Sequence, residues 1–352
     1  MCIRDRGDLG TLLPLAVGMI VINGLEPTGI FFTIGLFYIL TGIYFRVTCP
    51  VEPMKVISGY AIAMSISAAQ IQASCLWVCV ILLLLGLTGL IDVISRFISK
   101  AVIRGIQMST GFLLLIQGIH LIIGDSNLQI AQWVAEHYLR IQQIAFLPVG
   151  MVLGAGLGLL CVVLLDNKKL PAAVVVIGTG MVIGLLTGTR QGWEEVSLGV
   201  NLPLLLPYGL PTAADFSFAL IILILPQIPM TVANAVISNA DLSRQYFGPH
   251  SSRVTHRGLC VSMALANGAS FFLAGIPLCH GAGGLASRYR FGARTGGSNL
   301  MIGLLFLLFA IFFGSHTLAF VHLLPLSVLG VLLVFAGTQS VSYTHLRAHE
   351  TK

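Results

Sequence analysis

Gly275-Ile-Pro-Leu-Cys-His-Gly-Ala-Gly-Gly284, followed by Leu285 to Phe291, sets proline and glycine among windows that are otherwise long and apolar. It reads as an extended piece that turns into a half-helix. A second stretch of this kind, Cys49-Pro-Val-Glu-Pro-Met-Lys55 followed by Val56 to Ala69, lies early in the chain. Working outward, apolar windows of helical length fall at about 9–24, 28–45, 74–95, 106–123, 144–165, 171–188, 216–238, 258–275, 299–316 and 318–338, judged by a span of roughly 20 residues. Each broken stretch is therefore the third element of its half. Seven elements separate the start of one half from the start of the other, so the second copy enters the membrane from the opposite side. Two interrupted segments at matching places in two halves are the pattern of an inverted-repeat carrier whose site lies near the bilayer midplane. The expected fold class is an all-α polytopic membrane protein of the inverted-repeat transporter type.

The composition agrees. Of 352 residues, 56% are hydrophobic and 9% charged, with a mean hydropathy of +0.94, against about 25% charged in soluble domains. This excludes an ordinary cytosolic enzyme. The net charge of +6 belongs on cytoplasmic loops and not on nucleic acid. With the N-terminus inside, Arg46, Arg96, Lys100, Arg104, Lys168, Lys169, Arg244, Arg253, Arg257, Arg288, Arg290 and Arg294 fall on inside loops, and Arg140 and Arg190 outside. The localisation expected from this bias is the plasma or inner membrane, multi-pass, with a cytoplasmic N-terminus. The outward loops 124–143 and 189–215 carry Trp133, Trp193 and Tyr208 as interfacial anchors. Gly150, Gly154 and Gly158 form a small-residue packing face. The seven cysteines are scattered and read as buried small hydrophobes. No cleavable signal peptide is evident. Residues 1–6 and 341–352 resemble translated adapter sequence, and are expected to lie outside the fold.

Backbone that leaves helical geometry at membrane depth normally lines a cavity. It offers there the unpaired N–H groups and positive dipole end of each half-helix. Pro53 and Met54 open the first half-helix; Gly281, Gly283 and Gly284 let the backbone of the second approach a ligand closely. Two such starts facing one another make an anion site. Glu52 and Lys55 sit at the first break, where ionisable groups are paired, cavity-facing and functional or else merely hold the loop. Functionally, Lys55 meets the anion's charge and Glu52 takes up a proton, because low dielectric disfavours an ionised carboxylate. Cys279 and His280 adjoin the second break. His280 either donates to the ligand or is a packed loop histidine bonded to backbone. Asp8, Gln227 and Asn234 lie on the first element of each half and face the same cavity if the repeat holds. His120, His316 and His322 stand isolated on apolar faces, so no metal or cofactor is expected. Gly281-Ala-Gly-Gly-Leu-Ala286 fits a dinucleotide fingerprint in letters only, since no acidic ribose ligand and no βαβ unit follow.

Together, Gly7-Asp-Leu-Gly-Thr11, Pro50-Val-Glu-Pro-Met-Lys55, Gln227-Ile-Pro-Met-Thr-Val-Ala-Asn-Ala235 and Pro277-Leu-Cys-His-Gly-Ala-Gly-Gly-Leu-Ala286 with Arg290-Phe-Gly-Ala-Arg-Thr-Gly296 resemble the plant and microbial molybdate transporter family, a branch of the sulfate-permease superfamily. The resemblance spans residues 7 to about 338. It implies a seven-plus-seven inverted repeat of fourteen elements, split into core and gate domains. The core would be 7–104 and 216–316, and the gate 105–190 and 317–340, with 191–215 an extracytoplasmic loop. About twelve of the fourteen elements are present, so a C-terminal truncation is expected. The resemblance also implies uptake of the molybdate dianion with protons; Glu52 stands where members of the family carry Gln. The expected partners are molybdate or a similar oxyanion, protons, the lipid bilayer and a second copy in a homodimer. Sulfate or another anion on the same fold, and a non-transporting oxyanion sensor, are the alternatives. A membrane enzyme would need converging acids, bases or metal ligands that the sequence lacks.

Overall fold

A computed structural model of the chain describes residues 9–94, 100–144, 146–164, 172–189, 193–194, 196, 199–290 and 292–349. Helices occupy the twelve expected places: α1 Leu9–Asn23, α2 Pro27–Phe45, α3 Lys55–Met64, α4 Ala68–Thr88, α5 Lys100–Ile123, α6 Val149–Leu164, α7 Ala172–Thr187, α8 213–247, α9 His256–Phe272, α10 Ala282–Arg290, α11 Gly297–Phe313 and α12 Leu326–His349. The stretches spanning α2, α4, α5 and α8 are long and apolar enough to cross a membrane, and further apolar helices are shorter.

The packing obeys a two-fold relation between halves. Helix α2 lies along α11, and α9 lies along α4; exchanging each element for its counterpart turns one pair into the other. On the axis itself, α5 packs on α12, and the extended residues of one break pair with those of the other. Glycine makes the tightest crossings. A β-carbon on Gly35 of α2 would lie 2.8 Å from the Gly303 carbonyl oxygen of α11, and one on Gly303 would lie 2.7 Å from the Gly35 oxygen. Backbones this close pack through dispersion and weak Cα–H contacts that any side chain would prevent.

Local sequence explains the departures from a plain helix bundle. In α8, wide π turns run over Ala219–Ile224 and Thr231–Ser238, flanking the turn that holds Pro226 and Pro229. A proline removes one N–H and crowds the carbonyl four residues back, and a widened turn accommodates both effects. The span expected at 144–165 begins only at Val149, after a short hairpin between Gln143–Ile144 and Leu147–Pro148. That at 318–338 begins at Leu326, directly after Pro325, the residue best suited to a helix start.

A second, smaller cluster of buried residues, among them Leu157, Val176, Leu324 and Val328, lies apart from the main core and joins α6, α7 and α12. The loop between α5 and α6 fastens it. Glu136 is fully buried and accepts from the N–H groups of Leu326 (2.9 Å) and Ser327 (2.8 Å), capping α12 from far away in sequence. Burial raises its carboxyl pKa, and those N–H groups offset the rise in part.

Several expectations change at this level. Gly150 and Gly154 do pack on Ile122, whereas Gly158 has open space beside it. His120 is not isolated; its Nδ1 lies 2.7 Å from Asp125. Trp193 donates to the Ala319 carbonyl and Tyr208 accepts from the Glu26 N–H, so both act as ties between segments, while Trp133 is exposed.

Candidate functional site

Two extended pieces cross at the centre. Glu52–Pro53 and Leu278–Cys279 form an antiparallel pair with Glu52 opposite Cys279, and the Met54 N–H donates to the Pro277 carbonyl at 2.8 Å. Each piece then turns into its half-helix, α3 or α10. Because the pair is antiparallel, the two half-helix starts meet at one level from opposite directions, bringing two positive dipole ends together.

Buried asparagines hold the extended pieces, whose backbone has no helical partners. Asn267 of α9 donates to the Leu278 carbonyl (2.8 Å) and accepts from its N–H (3.0 Å). Asn299 of α11 does the same for Cys49, donating at 2.6 Å and accepting at 3.2 Å. Asn239 of α8 donates to the His280 carbonyl at 2.9 Å. None of these three was singled out from sequence. For Asn267 and Asn299 an amide within an apolar span was the available signal, since an unpaired polar group at that depth is costly; Asn239 begins the polar stretch Asn-Ala-Asp-Leu-Ser-Arg-Gln245 and carried no such signal.

Glu52 is 2% exposed, and its Oε2 lies 3.2 Å from Lys55 Nζ. The lysine side chain keeps 25% of its surface, so the pair is buried on the acid's side and open on the base's side. The carboxylate reaches across to the other half: a β-carbon on Gly281 would collide with it. At Gly283 a β-carbon would meet nothing within 4 Å, so the start of α10 borders open space. The start of α3 is different. Met54 gives no side-chain cap, and Gln227 of α8 supplies one, its Oε1 accepting from the N–H groups of Val56 (3.2 Å) and Ile57 (3.4 Å).

The structure thus brings Glu52, Pro53, Met54, Lys55, Gln227, Cys279, Gly281 and Gly283 to the crossing, with Gly284 buried beside them in the first turn of α10. Asn234 lies half-buried in the second wide segment of α8, which packs on α10. Asp8 lies outside the described residues. His280 takes up the second of its two expected arrangements. Its ring is fully buried, donates from Nδ1 to the Pro50 carbonyl at 2.7 Å, accepts from Ser262 at Nε2 (3.0 Å), and packs on Phe37 and Phe45. The side chain next to Cys279 points into the core and acts as a strut between the two breaks.

Arg288 is a correction. Counted above among loop charges, it is fully buried in α10, donates to the Cys49 carbonyl at 2.9 Å and lies 5.3 Å over the Tyr38 ring. It ties the far end of the second half-helix to the first break. Among the described residues no group of three or more His, Cys, Asp or Glu could hold a metal ion. The arrangement offers a cation, an acid and two helix starts, which suits binding of an anion.

Comparison with known proteins places this geometry. Residues 5–114 and 219–339 match the family model described as "Molybdate transporter of MFS superfamily". Molybdate transporter 2 of Arabidopsis thaliana is 28% identical over 360 residues, an alignment covering 95% of this chain and 76% of that protein. The transmembrane domain of the cyanobacterium bicarbonate transporter BicA superposes with a TM-score of 0.69 at 16% identity, over 97% of this chain and 88% of that one. The murine Slc26a9 anion transporter in its inward-facing state gives 0.66 at 14% identity, over 97% of this chain and 60% of that one. The fold shared with these two structures is the sulfate-permease-like inverted repeat.

Proposed function

The chain belongs to the molybdate transporter family, and from that premise we propose that it is a secondary active carrier that imports molybdate with protons. The observation that carries this reading is the crossing itself: two half-helix starts at one level with Lys55 3.2 Å from Glu52 between them. A tetrahedral dianion meets the N–H groups and dipole ends of α3 and α10 and the Lys55 ammonium. Pro53, Met54, Gly281, Gly283 and Gly284 shape the backbone around it, and Asn234 approaches from α8. Glu52 is the proton acceptor. When the dianion enters, its charge opposes the carboxylate, so protonation of Glu52 and binding of the anion favour one another.

Movement divides the molecule into a core, 7–104 and 216–316, and a gate, 105–190 and 317–340. The separate apolar cluster of α6, α7 and α12 supports this division. The core rocks or slides against the gate to expose the site to either side in turn. Arg46, Arg104, Arg244, Arg253, Arg257 and Arg294 lie on the side we assign to the cytoplasm by the positive-inside rule, with the N-terminus on that side too.

The test is uptake of labelled molybdate into cells or vesicles holding the protein, with sulfate as competitor. Uptake that survives equimolar sulfate is expected. Complete inhibition at equimolar sulfate would sink the molybdate assignment and leave a general oxyanion carrier.

A further inference from the structure

Gln227 sits where substrate oxygens are expected. It is 3% exposed, stands between the two wide segments of α8, and places one oxygen against two successive N–H groups at the start of α3, at 3.2 and 3.4 Å. Its Nε2 donates to Thr231 Oγ1 at 2.9 Å, which fixes the amide's orientation. A single oxygen shared by two successive amides at a helix start is how an oxyanion is held. Here the chain supplies that oxygen itself, from 171 and 170 residues away.

We propose that Gln227 is a tethered stand-in for the substrate: its amide oxygen caps α3 in the empty carrier, and an oxygen of the bound oxyanion displaces it. This rests on the oxyanion-carrier reading above and adds a selectivity device to it. A hydrogen bond to a charged acceptor is about twice as strong as one to a neutral acceptor. A dianion therefore wins the exchange against an amide, whereas a neutral molecule of similar shape gains nothing by it. An empty helix start would accept either.

The surroundings suit a reversible exchange. On one side Gln227 borders a narrow crevice lined by Val78, Ile81, Leu82, Ile224 and Ile228, a wall that offers a displaced amide almost no hydrogen-bond partners. Leaving the amide there is costly, so it returns to α3 when the anion departs. The wide turns before and after Gln227 are places where a helix shifts register locally, and such turns recur at functional sites. Thr231 lies on the second of them and moves with the glutamine.

Hydrogen exchange and molybdate binding on the purified full chain test this together. Without ligand, Gln227→Ala is expected to speed exchange of the peptide containing Val56 and Ile57 about tenfold, the worth of one shared bond. Gln227→Asn, too short to reach, keeps an amide in place and should behave the same way. Added molybdate should protect that peptide in all three proteins. Affinity for molybdate should rise about three- to tenfold in the Ala and Asn variants and fall more than tenfold in Gln227→Glu, which sets a fixed anion on the same amides. Unchanged ligand-free exchange in both short variants would overturn the cap. Faster exchange with weaker molybdate binding would overturn the stand-in and make Gln227 an ordinary ligand. Ligand-free exchange as expected, with no protection by molybdate in the wild type, would overturn the carrier reading and the displacement with it.

Discussion

The two half-helix starts occupy equivalent places in the repeat and have opposite chemistry. The start of α3 carries both charged groups, Glu52 and Lys55, and its free N–H groups are covered by Gln227. The start of α10 is built from glycine, carries no charge, and faces open space at Gly283. The backbone arrangement recurs in the two halves, and the side chains give the copies different chemistry. One half holds charge and a removable cap; the other holds a cradle. The asymmetry continues at the far ends. Asn23 donates to the Ala61 and Ile66 carbonyls at the end of α3, at 2.8 and 2.9 Å, whereas Arg288 from α10 reaches back to the first break.

The largest effect is expected at Lys55. Lys55→Ala removes the cation and strands a carboxylate that is 2% exposed. Losing one partner of a buried pair costs about 3–5 kcal/mol, and the lysine's partial exposure brings this toward the lower figure. Molybdate binding should fall about a hundredfold or more, as measured on purified protein; unchanged affinity would make the pair a structural clasp only.

Gly281→Ala probes how one half reaches the other. The new methyl would collide with the Glu52 carboxylate, and overpacking of this kind costs about 1–3 kcal/mol. Thermal melting should show that loss, and Glu52→Ser in the same chain should recover most of it, giving a coupling energy in a double-mutant cycle. Additive effects would mean that the acid and the glycine do not touch.

Glu52→Gln should have the gentlest effect. Binding at neutral pH should stay within about threefold, since the neutral amide stands in for the protonated acid, while the acceleration of uptake by acid disappears. A pH profile parallel to that of the wild type would assign the coupling proton elsewhere.

How much of this was readable in advance follows the range of each interaction. The breaks, their matched positions and the Glu52–Lys55 pair are written in local sequence, as proline, glycine and a spacing of three. What sequence could not show is where a side chain goes from one segment to another. His280 adjoins the site in the chain, but strand pairing turns its ring toward Pro50 and Ser262. Arg288 looked like a loop charge because the half-helix containing it is polar, and only the fold reveals that its guanidinium fills the gap beside Cys49. Asn267 and Asn299 were visible as amides in apolar helices and Asn239 as one more polar residue at the end of α8, yet their partners are backbone atoms in other segments.

Whether an oxyanion lies against the open start of α10 between the two halves is decided at Gly283. A β-carbon there meets no protein atom within 4 Å, so Gly283→Ala leaves packing intact and should hold or raise stability by about 0.5–1 kcal/mol, as alanine for glycine does in a helix. The measurement is molybdate affinity of the purified Gly283→Ala protein beside the wild type, with melting temperature as the control. Equal or higher melting temperature and at least tenfold weaker binding are expected, because the methyl takes the space of the anion. Wild-type affinity in a variant that melts normally would contradict that placement.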